Sequence, residues 1–188
     1  KDGQLLVDLG RLNRIIEVNE KLGYITLEPG VTQGQVYDYL QENNIKLWMD
    51  ATGAGHDTSV IGNTMDRGFG HSPHGDRYAH SCGYEIILPT GEVLNTGFGH
   101  YENSKVTEVY KWGIGPAIDG LFTQSNFGIV TKMTMWLMPA PEAFEVVGFM
   151  LKEEKDIAEF IERLRPLRMD GTLKSVIHIG NDLRLVSM

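Results

Sequence analysis

The chain has 188 residues, of which 41% are hydrophobic and 22% charged, and its formal net charge is -8 at pH 7. This length allows one domain with a real core, or one domain and part of another. The acidic balance argues against nucleic acid or anionic membrane as the main partner, and the single cysteine, Cys82, rules out an internal disulfide.

The first fifty residues predict short strands around one helix. Three strands are predicted before residue 30, namely Leu5–Leu9, Ile15–Val18 and Tyr24–Glu28, the last two forming a hairpin. Thr32 predicts a helix N-cap, because apolar residues recur on one helical face after it. Asn43 and Asn44 are expected to end this helix, and residues 45–49 predict a further strand.

The segment Thr52–Asp76 is rich in glycine, serine and threonine, and we predict a long functional loop there without regular structure. Its main-chain N–H groups are expected to be uncovered, which suits a phosphate or a flat polar ring. Gly53–Thr58 begins like a dinucleotide fingerprint but lacks the third glycine, so it does not predict a Rossmann fold.

The end of this segment leaves more than one chemistry open. His71, His74 and His80 could bind the metal ion of a hydrolase, although no regular element places them on a common face. Asp76 could accept a hydrogen bond from its own turn, or it could lie beside a redox ring and influence proton movement. A third hypothesis is a non-catalytic domain that binds a nucleotide or a partner subunit.

The second half of the chain predicts a hairpin, a short helix and a long strand: Tyr84–Leu88 with Glu92–Thr96, then Ala117–Leu121, then Phe127–Leu137. Residues 97–115 predict a loop. The composition changes after Pro139 and Pro141, which are expected to close the long strand. The tail predicts a strand at Glu145–Leu151, a helix from Asp156 to Pro166, and a strand at Ser175–Ile179.

Eight segments carry a more specific signal: Glu28–Val31, Ser59–Gly68, Pro73–Asp76, Tyr110–Pro116, Asp119–Asn126, Gly128–Lys132, Trp136–Pro139 and Arg165–Met169. In this order they resemble the FAD-binding domain of the vanillyl-alcohol oxidase and p-cresol methylhydroxylase family. The resemblance implies an α+β fold with a mixed or antiparallel sheet and flanking helices. Residues 1–140 would be a PCMH-type FAD-binding domain lacking its N-terminal subdomain, and residues 141–188 the truncated beginning of a ferredoxin-like cap domain.

The resemblance also implies which residues contact the cofactor: Thr58, Ser59, Gly62, Asn63, Gly70, Asp76, Gly128, Ile129 and Val130. Asp76 matches an aspartate near the reactive N5 edge of the flavin, so we expect it to be catalytic. No metal ligand is expected on this interpretation. The family's phenol oxidisers have Tyr-Thr-Pro-Tyr-Gly-Asp-His where this chain has His71–Arg77, and this departure argues against a phenolic substrate.

The implied function is that of an FAD-dependent oxidoreductase. When full-length, it would transfer a hydride from an alcohol, a 4-alkylphenol or a hydroxy acid to flavin N5, and the fragment alone would be inactive. Its expected partners are a small-molecule substrate and a cytochrome or other electron acceptor, and the full-length protein would be a soluble homo-oligomer. Covalent flavin attachment, the choice between oxidase and dehydrogenase, and a cytoplasmic or periplasmic location stay open.

Overall fold

The main element of the fold is a five-stranded antiparallel sheet. The computed structural model describes residue 3, residues 5–145 and residues 147–180. The strands of the sheet are β1 (Ile15–Asn19), β2 (Tyr24–Leu27), β4 (Ser81–Ile87), β5 (Val93–Asn95) and β6 (Ile129–Trp136). Their order across the sheet is β1-β2-β6-β4-β5. Strands β3 (Leu47–Trp48) and β7 (Met138–Pro139) form a separate pair.

Two of the helices contribute buried side chains to the core beside the sheet. Within the described residues the helices are α1 (Gln33–Glu42), α2 (Val60–Met65) and α3 (Asp156–Met169), with a 3₁₀ turn at Asp119–Phe122. Helices α1 and α2 bury apolar side chains against β2, β4 and β6, and α3 buries none. The expected α+β class is therefore confirmed. None of the helices in this part of the chain has the length and apolar character of a membrane span.

Strand β6 holds the sheet together because it pairs with β2 on one side and with β4 on the other. Its β-branched and aromatic residues suit this central position. On the β2 side, the hydroxyl groups of Thr26 and Thr134 form a buried hydrogen bond of 2.9 Å. A buried polar pair thus joins β2 to β6.

The local signals for α1 are confirmed. The Thr32 hydroxyl accepts a hydrogen bond from the Gln35 amide, and the Gln35 side chain accepts one from the Thr32 amide, which completes a capping box. The helix ends at Asn43, and Asn44 takes a positive φ of 54°. Asparagine tolerates this conformation better than most residues, which explains the stop.

Several predicted elements differ from the structure. Residues 5–9 form no strand, because no neighbouring strand pairs with them; residues 5–8 are exposed and Leu9 is partly buried. Helix α2 lies inside the segment we predicted to be irregular. The strand predicted at 45–49 shortens to β3, and the helix predicted at 117–121 is the 3₁₀ turn. The hairpin of β4 and β5 around Pro89, Thr90 and Gly91 is as predicted.

The tail contains the largest differences. The long strand ends at Trp136, before Pro139. Pro139 is instead the last residue of β7, where it pairs with Leu47 and its missing N–H is tolerated. Helix α3 continues beyond Pro166, because the last turn of a helix can lose one hydrogen bond at little cost. The described residues of 145–151 and 175–179 form no strand, and Val146 lies outside the described residues.

The Thr26–Thr134 pair gives a test of the core. Thr134→Val should lower the free energy of unfolding by about 1–3 kcal/mol, because it leaves the buried Thr26 hydroxyl without a partner. The double variant Thr26→Val/Thr134→Val should recover most of this loss, since no polar group is then unpaired. Urea unfolding of the three proteins measures both effects, and an additive double variant would contradict the pairing.

Candidate functional site

A buried arginine organises the glycine-rich segment. Arg77 is fully buried, and its guanidinium donates to the Asp50 carboxylate at 3.4 Å and to the Asp50 carbonyl at 2.7 Å. It also donates to the Gln33 side chain at 2.5 Å and to the Asn63 side chain at 3.2 Å. Arg77 therefore connects α1, the chain before the segment, and α2. This role of Arg77 is not visible in the sequence, since a single arginine carries no periodic signal.

The Asp50 carboxylate, which pairs with Arg77, also accepts hydrogen bonds from the end of the glycine-rich segment. Asp50 accepts hydrogen bonds from the amide of Ser72 at 3.2 Å and from its hydroxyl at 2.5 Å. Burial lowers the pKa of Arg77, and the nearby charge of Asp50 opposes that shift. A buried ion pair of this kind is tolerated when the remaining donors and acceptors are satisfied, as they are here.

Most amides that we expected to be uncovered are already bonded, so that expectation is wrong. The Gly62 amide donates to the Ser59 hydroxyl at 2.9 Å, and the Gly70 amide donates to the Gly75 carbonyl at 2.9 Å. Other groups of the same chain accept hydrogen bonds from the amides of Thr58, Val60, Asn63, Gly68, Ser72, His74 and Gly75. The segment folds back on itself, which a count of glycines does not reveal.

A cavity of about 490 Å³ opens at the end of the segment. Its lining residues are Arg67, Gly68, Phe69, Gly75, Asp76, Tyr78, Gly120, Thr123 and Val176. The Arg67 side chain donates to the Thr123 hydroxyl at 3.0 Å, which joins the two walls. The volume lies in the range of small-molecule and cofactor sites.

Glycines bring main chain close to this cavity. A Cβ atom on Gly75 would lie 2.4 Å from the Gly70 carbonyl oxygen, and one on Gly70 would lie 2.0 Å from the Asp50 carboxylate. On the opposite wall, a Cβ atom on Gly120 would lie 3.0 Å from the Tyr78 hydroxyl. A side chain at any of these positions would collide with the loop or with Tyr78, so the close packing around the cavity requires glycine there.

Asp76 lies in the cavity wall and also stabilises a turn. Its Oδ1 atom accepts a hydrogen bond from the Ala79 amide at 2.9 Å, and its carbonyl accepts one from His80 Nδ1 at 2.8 Å. The residue is exposed. Both interpretations of Asp76 are therefore compatible with the geometry: one carboxylate oxygen is held by the turn while the residue faces the cavity.

The other predicted FAD contacts lie outside the cavity lining, and their role stays a prediction. Ser59 caps α2, where its hydroxyl donates to the Pro29 carbonyl at 2.5 Å. Three further predicted contacts lie at the start of β6. Gly128 directly precedes the strand and packs against Ile86, Ile129 is partly exposed, and Val130 is in the core. The remaining members are Thr58, Gly62, Asn63 and Gly70. The structure instead adds Arg67, Tyr78, Gly120 and Thr123 to Asp76.

The histidines do not converge on a metal site. The rings of His74 and His80 stack with centroids 4.1 Å apart, whereas His71 contacts His178 at 4.0 Å. Among the residues that the structure describes, no group of three or more histidine, cysteine or acidic side chains could hold a metal ion. The metal-dependent hydrolase alternative receives no support.

Comparison with known proteins identifies the relatives of this chain. Residues 1–97 match the model of the FAD binding domain family. The chain is 44% identical over its whole length to 1'-carboxy-chondrochloren decarboxylase from Chondromyces crocatus, and covers 35% of it. It is 42% identical over 96% of its length to the flavoprotein subunit of 4-cresol dehydrogenase [hydroxylating] from Pseudomonas putida, again covering 35%.

A solved structure agrees with these sequence matches. The crystal structure of p-cresol methylhydroxylase with substrate bound superimposes with a TM-score of 0.87 at 43% identity. The match covers 92% of this chain and 34% of that one. The chain therefore spans about a third of the length of the relatives it matches.

The ion pair gives a first test of the site. Arg77→Met should lower the free energy of unfolding by about 3–5 kcal/mol, because it leaves the buried Asp50 carboxylate without its cation. Arg163→Met is the matched control, since the Arg163–Glu159 pair is exposed on α3 and should contribute little. Chemical unfolding of both variants measures the difference, and equal losses would contradict the role of Arg77.

His74 gives a second test. Burial and the neighbouring His80 lower the pKa of His74 from its ordinary value of 6.5, so the fold favours the neutral ring. This contribution to stability is complete above pH 6.5 and is lost as the pH falls through the lowered pKa. His74→Gln should therefore flatten the acid limb of a melting temperature profile between pH 7.5 and 4.5.

The control for this profile is His100→Gln in an exposed loop, which keeps His74 and should retain the wild-type slope below pH 6.5. A His74→Gln profile parallel to wild type would show that His74 does not contribute to the pH dependence.

Proposed function

This chain belongs to the FAD binding domain family, and on that premise we propose that the full-length protein is an FAD-dependent oxidoreductase. FAD is the cofactor, and the resemblance to p-cresol methylhydroxylase read from the sequence is confirmed. The observation that carries the proposal is the 42% identity to a flavoprotein dehydrogenase subunit over 96% of this chain. The proposed reaction is hydride transfer from a substrate carbon to flavin N5.

The residues at the cavity suit this cofactor. When bound, FAD supplies the hydride-accepting chemistry, and the protein supplies orientation and electrostatics. Glycine main chain at Gly75 and Gly120 lines the cavity together with the aromatic ring of Phe69, which offers an apolar surface to a planar ring. Arg67, beside Thr123, adds a positive charge at the rim. Cofactor sites combine apolar lining with a small set of polar groups that orient the ligand, and here Arg67, Asp76 and Thr123 could serve that purpose.

Asp76 is proposed to hold or accept a proton next to the reacting centre. The Ala79 amide fixes one of its oxygens, so the carboxylate has a defined orientation toward the cavity. A fixed carboxylate can influence proton movement without being consumed. We propose the remaining predicted contacts, on α2 and at the start of β6, as further FAD-binding residues.

The proposed substrate is a 4-alkylphenol rather than a simple alcohol or hydroxy acid, since a 42% identical relative is named for 4-cresol. The departure at His71–Arg77, which argued against a phenolic substrate, carries less weight than this identity, because Arg77 is buried in the ion pair with Asp50 and does not line the cavity. We further propose an electron-accepting partner and a homo-oligomer when full-length, with residues 1–140 in the FAD-binding domain and 141–188 beginning the cap.

A second candidate reaction is oxidative loss of a carboxyl group. It is favoured by the 44% identity to a protein named as a decarboxylase. Release of CO₂ from a carboxylated 4-alkylphenol, together with flavin reduction, would distinguish it from simple hydride removal.

Replacement of Asp76 tests the proposed role. In the full-length protein, Asp76→Ser should retain bound FAD but slow flavin reduction by about 10²-fold or more, because a positioned proton acceptor is lost. Stopped-flow absorbance with 4-cresol measures the reduction rate. Asp57→Ser is the matched control, since Asp57 is a fully exposed carboxylate in the same segment and does not line the cavity.

Unchanged reduction in Asp76→Ser would remove Asp76 from the mechanism. A purified full-length protein without visible flavin absorption, even after incubation with FAD, would contradict the proposed function itself.

A further inference from the structure

Tyr78 is a cavity residue that neither the sequence analysis nor the comparisons assign to the site. Its ring lies in the wall two residues after Asp76, and it is half-buried. Its hydroxyl oxygen lies 3.0 Å from the position that a Cβ atom would take on Gly120, another residue of the cavity lining, so the hydroxyl packs against bare main chain there. Within the described part of the chain this hydroxyl makes no hydrogen bond. It is therefore available to a ligand.

The ring of Tyr78 is held from behind by a buried cation. The ammonium nitrogen of Lys111 lies 3.8 Å from the centre of the tyrosine ring, in a cation–π contact. The same ammonium donates to the Tyr78 carbonyl and, at 2.9 Å, to the Ser81 carbonyl. Both the main chain and the ring face of Tyr78 are thus fixed by one side chain, which orients the hydroxyl.

The hydroxyl is in the right protonation state to donate. Burial, and then the negative charge of Asp119, raise the pKa of Tyr78 above its ordinary value. The group stays protonated at neutral pH and offers one O–H donor. Flavin rings carry carbonyl oxygens and ring nitrogens that accept such bonds, and they become more electron-rich on reduction. A donor at the ring consequently favours the reduced form.

We propose that Tyr78 is a further cofactor-contacting residue of this site, whose hydroxyl donates a hydrogen bond to an acceptor atom of the flavin ring, and that Lys111 is the positioning residue that holds it. This inference rests on the proposed function, since it needs FAD in the cavity. It adds a residue that sets how readily the flavin accepts electrons, in a way that activity alone would not reveal.

The first experiment is Tyr78→Phe in the full-length protein. This change keeps the ring over Lys111 and removes only the hydroxyl, so FAD content and folding should match wild type. The preference for reduced flavin should fall about tenfold, which is about 30 mV for a two-electron couple. Spectroelectrochemical titration measures the midpoint potential, and the absorption spectrum of the bound flavin should shift as well.

A double-variant cycle shows whether the hydroxyl carries the effect. Gly120→Ala introduces a Cβ atom against the hydroxyl and should lower the potential in wild type. In the Tyr78→Phe background it should cause no further change, because the crowded oxygen is gone. Lys111→Met should follow the same rule, lowering the potential only where the Tyr78 hydroxyl is present.

An unchanged potential and spectrum in Tyr78→Phe with FAD bound would overturn this inference and leave the proposed function intact. Additive effects of Gly120→Ala and Tyr78→Phe would also overturn it. A wild-type protein that binds no FAD would overturn the proposed function first, and this inference with it.

Discussion

The Arg77–Asp50 ion pair is the constraint on which the site depends. Removing a guanidinium from water is costly, and this burial is stable only because carboxylate, amide and carbonyl acceptors surround it. These acceptors come from α1, from the chain before the segment, and from α2. The cation is satisfied only when all three are assembled. Because Asp76 directly precedes Arg77, the same ion pair fixes where the proposed proton acceptor enters the cavity.

The elements that the sequence predicted well are those with local signals. The hairpin of β1 and β2, the capping box at Thr32 and the turn between β4 and β5 are each specified by a few neighbouring residues. The tail strands failed because alternation of apolar residues does not make a strand without a partner. Pro166 was predicted to end α3 but lies inside it, because a proline near the last turn removes only one hydrogen bond.

The site was predictable in part. Asp76, which the resemblance to a flavoprotein family singled out, lies in the cavity wall, and its contact with the flavin stays a prediction. Gly120 and Thr123 are brought to the same cavity by tertiary structure. Nothing in the neighbourhood of Gly120 in the sequence indicates that it faces Tyr78. For the main-chain amides of the glycine-rich segment, the prediction from the sequence was wrong. Their residue types suggested exposure, but hydrogen bonds within the segment, such as Gly70 to Gly75, occupy them.

The central position of β6 has a consequence for how the protein is made. Thr26 and Thr134, which bond across β2 and β6, are 108 residues apart in the chain. At about 5–20 residues per second, a ribosome needs several seconds to deliver the second strand after the first. During this interval one edge of the β1–β2 hairpin is without its neighbour, so the nascent chain is open to mispairing until synthesis has passed Trp136.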